Sequence, residues 1–443
     1  MSTQTETGRT TVIKVDCLAR VEGEGALYIK LKGDRIQDVK FKIHEPPRLF
    51  EAFLRGRHIR EAPDITARIC GICPIAYQMN AVHAIERALK VSPEPAIRML
   101  RRLFYCGEWI ESHALHVFLL HAPDFLGYDD VIAMAREHRE TVEKALRLKK
   151  IGNAIVAIMG GREIHPVSAA VGGFHAVPGK SELNTLLPDL EWALETSLET
   201  VKLVSGLPFP DFDQDYEFVS LSHPGEYPLN EGRIISNKGL DIDVSEYEDH
   251  FLEQQVKHSN ALHSLLRERG SYMVGPLARL NLNFERLPEQ ARAVASECGF
   301  TLPCTNPFKS IIARAIEMVF ACHEAIRIIS EYEVPEIPCM ETAVHAGTGQ
   351  AATEAPRGLL YHRYVFDDAG QILAAKIIPP TSQNQKRIED DLWQYLPQLL
   401  GKPEEEMTLR CEQAIRNYDP CISCATHFLR LRIDRQGEPC PRS

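Results

Sequence analysis

Two Cys-x-x-Cys pairs at opposite ends of the chain constrain its fold more than any other feature. Cys70 and Cys73 lie in RICGIC, and Cys421 and Cys424 lie in DPCISC, so that 348 positions separate Cys73 from Cys421. In such a turn two thiolates can point at one metal, and two turns supply four soft sulfur ligands. If both pairs serve one site, the fold must bring the two ends of the chain together.

Four sulfurs alone do not identify the metal, because zinc, iron–sulfur clusters and nickel all accept such a set. Structural zinc sites commonly close a short loop, with their cysteine pairs about 15–20 residues apart. The wide separation here disfavours that kind of site. A further alternative is that the four residues are unmetallated core cysteines.

Composition and charge exclude several classes of protein. The 443 residues include 61 acidic and 50 basic side chains, and the net charge of −11 argues against an electrostatic nucleic-acid surface. The N-terminal segment has no apolar leader. The sequence also contains no run of about 18 apolar residues, which a membrane-spanning helix would need. These features predict a cytoplasmic protein. The chain also lacks a Gly-x-Gly-x-x-Gly fingerprint after a strand and a P-loop, so it is not expected to bind dinucleotides or nucleoside triphosphates itself.

Hydrophobic periodicity predicts a mainly α (α+β) fold. Alternation over residues 11–43 indicates an N-terminal antiparallel β-sheet, and residues 215–245 also resemble strands. A small C-terminal β hairpin is predicted around Asp368–Gly370. Three- and four-residue apolar spacing predicts a helical bundle core from segments at 62–90, 95–121, 129–159, 246–269, 308–331, 385–400 and 403–417.

The two cysteine motifs, in this order and at these ends, resemble the nickel-binding signatures of the large (catalytic) subunit of nickel–iron hydrogenases. Shorter stretches extend the resemblance along the chain: RVEGEG (20–25), LFEAFLRGR (49–57), ESHALH (111–116), EAPRG (354–358) and PPTSQN (379–384). The resemblance implies the fold of that subunit and reversible heterolytic cleavage of H2 to protons and electrons. A domain of residues 1–427 would carry this activity.

The resemblance also implies how the cysteines bind the metals. Cys70 and Cys421 would bind nickel terminally, while Cys73 and Cys424 would bridge it to an iron that carries carbon monoxide and cyanide. Cys421 would also take part in catalysis as a basic thiolate. Glu22 matches a glutamate that relays protons from a nickel thiolate, and the alternative is a solvated carboxylate at a strand edge.

Four further residues follow from the same resemblance. Arg357 matches an arginine above the iron, whose guanidinium can donate hydrogen bonds to a cyanide. Thr381 matches a hydroxyl residue that contacts the other cyanide, although it could be an ordinary turn residue. Glu51 and His427 would bind Mg²⁺ or Fe²⁺ through hard and imidazole ligands, unless Glu51 is a surface carboxylate. A propeptide of residues 428–443 is expected to be removed after His427.

Differences from the family pattern favour one subgroup. Tyr77 stands where many relatives have a histidine, and the motifs most resemble those of the soluble, multimeric hydrogenases coupled to NAD(P). His113 and His116 could be functional or simply packed. The implied partners are an iron–sulfur small subunit, diaphorase subunits that bind FAD and NAD(P), a maturation endopeptidase and nickel-insertion factors.

Three other functions compete with this interpretation. A hydrogenase of the same family could reduce a deazaflavin or a quinone partner, or could sense hydrogen, and these differ in partner chains rather than in cysteines. The quinone-binding subunit of complex I shares the ancestry but lacks the cysteine pairs. A zinc-stabilised scaffold would contain zinc and no nickel.

Overall fold

The computed structural model describes residues 10–45 and 49–426. Its helices in chain order are α1 (Phe50–Leu54), α2 (Ala62–Thr66), α3 (Pro74–Leu89), α4 (Pro95–Ala114), α5 (Ala122–Leu126), α6 (Val131–Ala135), α7 (Arg139–Gly160), α8 (Lys180–Asn184), α9 (Leu187–Ser205), α10 (Tyr247–His250), α11 (Pro276–Asn283), α12 (Glu289–Glu297), α13 (Ser310–Glu331), α14 (Pro380–Tyr395), α15 (Glu404–Arg416) and α16 (Ile422–Ala425).

The strands form small antiparallel sheets rather than one large sheet. The first sheet has the order β1-β2-β3, and others are β4-β5, β6-β7-β8, β10-β9 and β11-β12-β13. Their bounds are β1 (Thr10–Val15), β2 (Gly25–Lys32), β3 (Arg35–Ile43), β4 (Ala169–Ala170), β5 (Gly173–Phe174), β6 (Val219–Ser222), β7 (Arg233–Ser236), β8 (Asp241–Ile242), β9 (Phe251–Gln254), β10 (His263–Leu266), β11 (Gly347–Ala355), β12 (Gly358–Phe366) and β13 (Ile372–Ile378).

The helical core forms around α4, which packs against α7 and α13, while α13 also packs against α9. The α4–α7 crossing depends on two glycines. A Cβ atom on Gly152 would lie 2.6 Å from the carbonyl oxygen of Gly107, closer than real Cβ contacts allow. Because neither residue has a side chain, the two backbones touch and the interior is closely packed there. After Ala114 the helix continues as a π-helical segment, Leu115–His121.

The mainly α architecture with an N-terminal sheet is confirmed, and so are most of the predicted elements. Sheet β1-β2-β3 covers the first predicted strands, and α13 begins two residues after the start of the helix predicted over 308–331. Helices α14 and α15 lie near the two predicted C-terminal helices. The hairpin at Asp368–Gly370 joins β12 to β13. The helix predicted over 62–90 is interrupted between α2 and α3, where the first cysteine pair lies.

The helix predicted over 246–269 is wrong. Within this segment only Tyr247–His250 is α-helical, and the following residues form the hairpin β9-β10. Phe251 pairs with Leu266 across that hairpin, and both are buried in a second hydrophobic cluster beside β6 and β12. The ring of Tyr247 stacks on Phe251 at 4.3 Å between centroids. The spacing of these apolar residues suits a helix as well as a hairpin, and tertiary packing selects the hairpin.

Backbone contacts bring the two ends of the chain together. The N–H of Ile422 donates to the carbonyl of Glu22 at 2.8 Å, and Glu22 forms a parallel bridge with Cys421. The second cysteine pair is thus held against the loop that precedes β2. Among the described residues, no helix has both the length and the apolar character that crossing a membrane requires.

Candidate metal centre

Each cysteine pair lies at the start of a helix. Cys70 follows the 3-10 turn Ala67–Ile69, and Cys73 is the N-cap residue of α3, whose first residue is Pro74. A proline suits that first position because its missing N–H has no partner in the helix anyway. Cys421 is likewise the N-cap of α16, and Cys424 lies within that short helix. Both pairs are therefore presented from helix N-termini.

The structure brings the four predicted sulfur ligands into one buried cluster. Their Sγ atoms all lie within 4.8 Å of one another. The Sγ of Cys421 is 3.6 Å from that of Cys70 and 2.7 Å from that of Cys424. Each residue is at most 8% exposed. This spacing and burial suit thiolates that share metal ions.

The pKa values of two cluster cysteines are shifted in opposite directions. Burial raises the pKa of the Cys421 thiol well above its usual value, and neighbouring sulfurs add to the shift. Burial acts in the same direction on Cys70, but thiols that donate to its sulfur lower its pKa well below the usual value. Metal binding would displace the protons that these thiols carry.

Glu22 lies next to this cluster. Its Oε2 is 3.2 Å from the Sγ of Cys421 and accepts a hydrogen bond from the N–H of Ser423 at 3.1 Å. The side chain is half-buried, whereas that of Glu24 is exposed. Glu22 is therefore not simply a solvated carboxylate at a strand edge, because its carboxylate lies within hydrogen-bond distance of the Cys421 sulfur.

Arg357 lies in the gap between β11 and β12 and is 3% exposed. Its Nε donates to the carbonyl of Asp419 at 2.8 Å, and one terminal nitrogen, Nη2, donates to the Asp419 carboxylate at 3.1 Å. Burial disfavours the charged guanidinium, but Asp419 and the Cys421 sulfur keep the Arg357 pKa well above its ordinary value. Its Nη1 has no hydrogen-bond partner among the described residues. A buried charged donor without a partner suits an anionic ligand.

Thr381 and Tyr77 bring two hydroxyl groups to the centre. The Oγ1 of Thr381, in the first turn of α14, accepts the N–H of Cys421 at 3.0 Å. The hydroxyl of Tyr77 is buried and has no hydrogen-bond partner in the part of the chain that is described. Burial, and then the negative charge of the Cys424 and Cys73 sulfurs, raises the pKa of Tyr77 well above its usual value. Both hydroxyl groups therefore remain able to donate to a bound group.

The other predicted residues differ in how the structure places them. Glu51 is half-buried on α1, and its Oε1 accepts the N–H of Ile377 at 2.8 Å, so it is attached to β13 and is not a free surface carboxylate. His427 lies outside the described residues. His113 hydrogen-bonds to Glu317 at 2.8 Å. His116 hydrogen-bonds to a backbone carbonyl, also at 2.8 Å. Each of these two histidines thus has a packing partner for Nε2, while its buried Nδ1 has no hydrogen-bond partner among the described residues.

Sequence reasoning missed Asp419 as a site residue, although it directly precedes the second cysteine motif. Asp419 is 2% exposed and has a positive φ of 50°. Its own backbone carbonyl and carboxylate both hold Arg357. Burial raises the pKa of Asp419 above its usual value, although Arg357 opposes the shift. The signal available in the sequence was its place just before the second cysteine motif.

Comparisons with known proteins agree with this geometry. A family model described as nickel-dependent hydrogenase matches residues 48–149 and 267–427. Sulfhydrogenase 1 subunit alpha of Pyrococcus furiosus is 34% identical over 95% of this chain and 98% of its own. NAD-reducing hydrogenase HoxS subunit beta of Cupriavidus necator is 28% identical over 94% of both chains.

A solved structure is similar over nearly the whole chain. The crystal structure of an NAD+-reducing nickel–iron hydrogenase in the H2-reduced state superposes with a TM-score of 0.85. It is 28% identical, and the match covers 95% of this chain and 100% of that one. The four buried cysteines are suited to a nickel–iron centre. The chain belongs to the nickel-dependent hydrogenases as a large subunit, an oxidoreductase that acts on H2.

Proposed function

We propose that this chain is the catalytic large subunit of a multi-subunit enzyme that splits H2 reversibly and passes the electrons to NAD or NADP through partner subunits. The observation that carries the proposal is the buried cluster of four cysteine sulfurs within 4.8 Å. In it Cys70 and Cys421 would bind nickel terminally, and Cys73 and Cys424 would bridge nickel to iron. The bound centre supplies a Lewis-acidic site at which H2 is polarised.

The surroundings of the cluster fit iron that carries carbon monoxide and cyanide. Cyanide is an anion that accepts hydrogen bonds, and the unpartnered Nη1 of buried Arg357 is a charged donor. Thr381 accepts the N–H of Cys421 and keeps its own hydroxyl proton for a second acceptor. Arg357 would hold one cyanide and Thr381 the other.

Glu22 would carry protons between the cluster and the solvent. It lies 3.2 Å from the sulfur of Cys421, within reach of a direct proton transfer. A carboxylate that is half-buried keeps a route to water on its other side. The thiolate of Cys421 would therefore accept a proton when H2 splits, and Glu22 would remove it.

A second metal and a processing step complete the proposed maturation. Glu51 and His427 would bind Mg²⁺ or Fe²⁺ after residues 428–443 are removed by an endopeptidase. The support from the described residues is that Thr426, next to His427, pairs with Ala261 in a backbone bridge. The segment that ends at Thr426 would thus already be held in place before cleavage.

The acceptor and partners are proposed from the relatives. The chain resembles subunits of named multi-subunit hydrogenases, one of which is NAD-reducing. By that likeness an iron–sulfur small subunit, and diaphorase subunits that bind FAD and NAD(P), would accept the electrons in the cytoplasm, and nickel-insertion factors would load the metal.

The proposal is tested by infrared spectroscopy and metal analysis of the enzyme purified with its partner chains. One carbonyl band and two cyanide bands are expected in the window for metal-bound diatomics, together with H2-dependent reduction of NAD or NADP. Cys73→Ser should abolish the bands and the activity. Cys322→Ser, at a cysteine fully buried in α13, should retain both. A Cys73→Ser enzyme with intact bands would refute the assignment, and bands with no nucleotide reduction would refute the acceptor.

A further inference from the structure

A second group of possible metal ligands lies outside the cysteine cluster. His258 lies in the loop between β9 and β10, His263 is the first residue of β10, and Glu389 lies on α14. The ligand atoms that these three residues offer all lie within 4.8 Å of one another. The group is therefore formed by a hairpin and a helix that are distant in sequence.

The carboxylate of Glu389 is held in position from two sides. Its Oε1 accepts the N–H of Phe41 at 3.0 Å and lies 2.7 Å from the Nε2 of His258. The rings of His258 and His263 are 5.7 Å apart between centroids and inclined at 77°. Glu389 is 7% and His263 is 2% exposed. The group is compact and largely shielded from water.

An ion pair between His258 and Glu389 does not account for His263. The Nε2 of His263 is buried without a hydrogen-bond partner among the residues described. Burial, only partly opposed by the charge of Glu389, lowers the pKa of His263 to about 4, so the ring is neutral and keeps a free lone pair. Such a nitrogen costs free energy in a protein interior unless it binds something. A neutral imidazole beside a carboxylate and a second imidazole is a ligand set that zinc accepts.

The dimensions of the group also fit a transition-metal ion. At a zinc ion with bonds of about 2.0–2.1 Å, neighbouring ligand atoms of a tetrahedron lie about 3.4 Å apart. The separations here are 2.7 Å for one pair and at most 4.8 Å for the others. Shifts on the order of 1 Å by side chains would bring all three donors to one ion. The ion would replace the proton between His258 and Glu389.

The group is separate from the cysteine cluster. Thr381, which contacts Cys421, and Glu389 are eight residues apart on α14. At 1.5 Å per residue this is about 12 Å along the helix axis. An ion at Glu389 would therefore be distinct from any ion that the four cysteines bind.

We propose that His258, His263 and Glu389 bind one Zn²⁺ ion, or a transition-metal ion of similar chemistry, with water completing its coordination. The ion joins the β9-β10 hairpin to α14. The same hairpin loop donates the N–H of Asn260 to Ile43 at 2.9 Å and bridges Thr426 through Ala261. The site thus stabilises the loop that connects β3 with Thr426. Mg²⁺ does not substitute, because it prefers oxygen ligands in an octahedron.

The test uses the purified multi-subunit enzyme after a chelator wash, incubated with one equivalent of Zn²⁺ or Mg²⁺ and then desalted. About one zinc ion per large subunit should remain bound, and an anomalous difference map at the zinc edge should place it between the three side chains. Magnesium should leave no bound ion there. Absence of a zinc peak at this position in the wild-type crystal overturns the proposal.

Variants separate this site from general metal binding. Glu389→Gln keeps a carbonyl acceptor for Phe41 but removes the anionic ligand, and His263→Ala removes the unpartnered nitrogen. After desalting, each variant should hold at most about one tenth of the zinc that the wild type holds. His345→Ala, at an exposed histidine, is the matched control and should retain all of it. Equal zinc retention in Glu389→Gln and the control contradicts the assignment. Nickel content confirms that each variant is folded.

Discussion

The replacement Glu22→Gln tests how protons leave the cysteine cluster. Oε2 of Glu22 accepts the N–H of Ser423 at 3.1 Å and lies 3.2 Å from the sulfur of Cys421. Glutamine has almost the same shape, and its carbonyl oxygen can still accept the N–H of Ser423. The local fold should therefore survive. An amide cannot take up and return a proton near neutral pH, so the relay function alone is removed.

The expected loss of activity follows from this chemistry. A positioned general acid–base group contributes about 10²–10⁴-fold to a rate. At about 1.36 kcal/mol per factor of ten, this corresponds to about 3–5 kcal/mol of activation free energy. Turnover measured as H2-dependent reduction of an artificial dye should fall by that factor. The dye removes any dependence on the nucleotide-binding partners.

Two controls make the result decisive. Glu24→Gln changes an exposed glutamate two residues away and should keep wild-type turnover. Nickel content and the infrared bands should be unchanged in Glu22→Gln, because no metal ligand is altered. Full activity of Glu22→Gln with its metals bound would refute the relay. A loss of metal would show that Glu22 acts by supporting the cluster instead.

Three further predictions concern stability and the cluster environment. Gly152→Val should destabilise the enzyme by about 3 kcal/mol or more, because its Cβ would lie 2.6 Å from the carbonyl oxygen of Gly107; thermal unfolding, with Asn153→Val as the control, checks this. Thr381→Val leaves the N–H of Cys421 without an acceptor, so it should lower the free energy of unfolding by about 1–3 kcal/mol and shift the cyanide bands. Thr381→Ser keeps the hydroxyl group and should retain wild-type stability and band positions. Burial lowers the pKa of His113 from 6.5 to about 4, although Glu317 opposes the shift. The unfolded chain therefore binds more protons, and up to about 3 kcal/mol of stability is lost as the pH falls from about 6.5 to 4. His113→Gln should flatten this part of the pH profile of the melting temperature.

Local patterns in the sequence were sufficient for much of the fold. Long amphipathic segments predicted α13 and the C-terminal helices, because a helix of this length shows its buried face directly in the spacing of apolar residues. The hairpin between β12 and β13 was evident from its turn residues. The prediction of a helix over 246–269 failed because the apolar spacing of this segment suits both a helix and a hairpin. The choice between them depended on packing against Tyr247 and the second hydrophobic cluster.

The residues of the candidate site also fall into those that the sequence predicted and those that only the structure revealed. The four cysteines and Glu22 were predicted because their chemistry is carried by short motifs. Asp419 escaped attention, since its importance arises from Arg357, which is 62 residues away in sequence and hydrogen-bonded to it. The unpartnered nitrogen of His263 was equally invisible, because a missing hydrogen bond exists only once every neighbour has a position.

The sequence by itself determined which residue types are present and indicated that helical segments accompany both cysteine pairs. Only the tertiary structure decided that Cys73 and Cys421, 348 positions apart, share one buried cluster with Glu22 beside it. It also decided that two histidines of a hairpin meet a glutamate on α14. The physical reason is that ligand sets and pKa values depend on distances and burial across elements, which no spacing along the chain specifies.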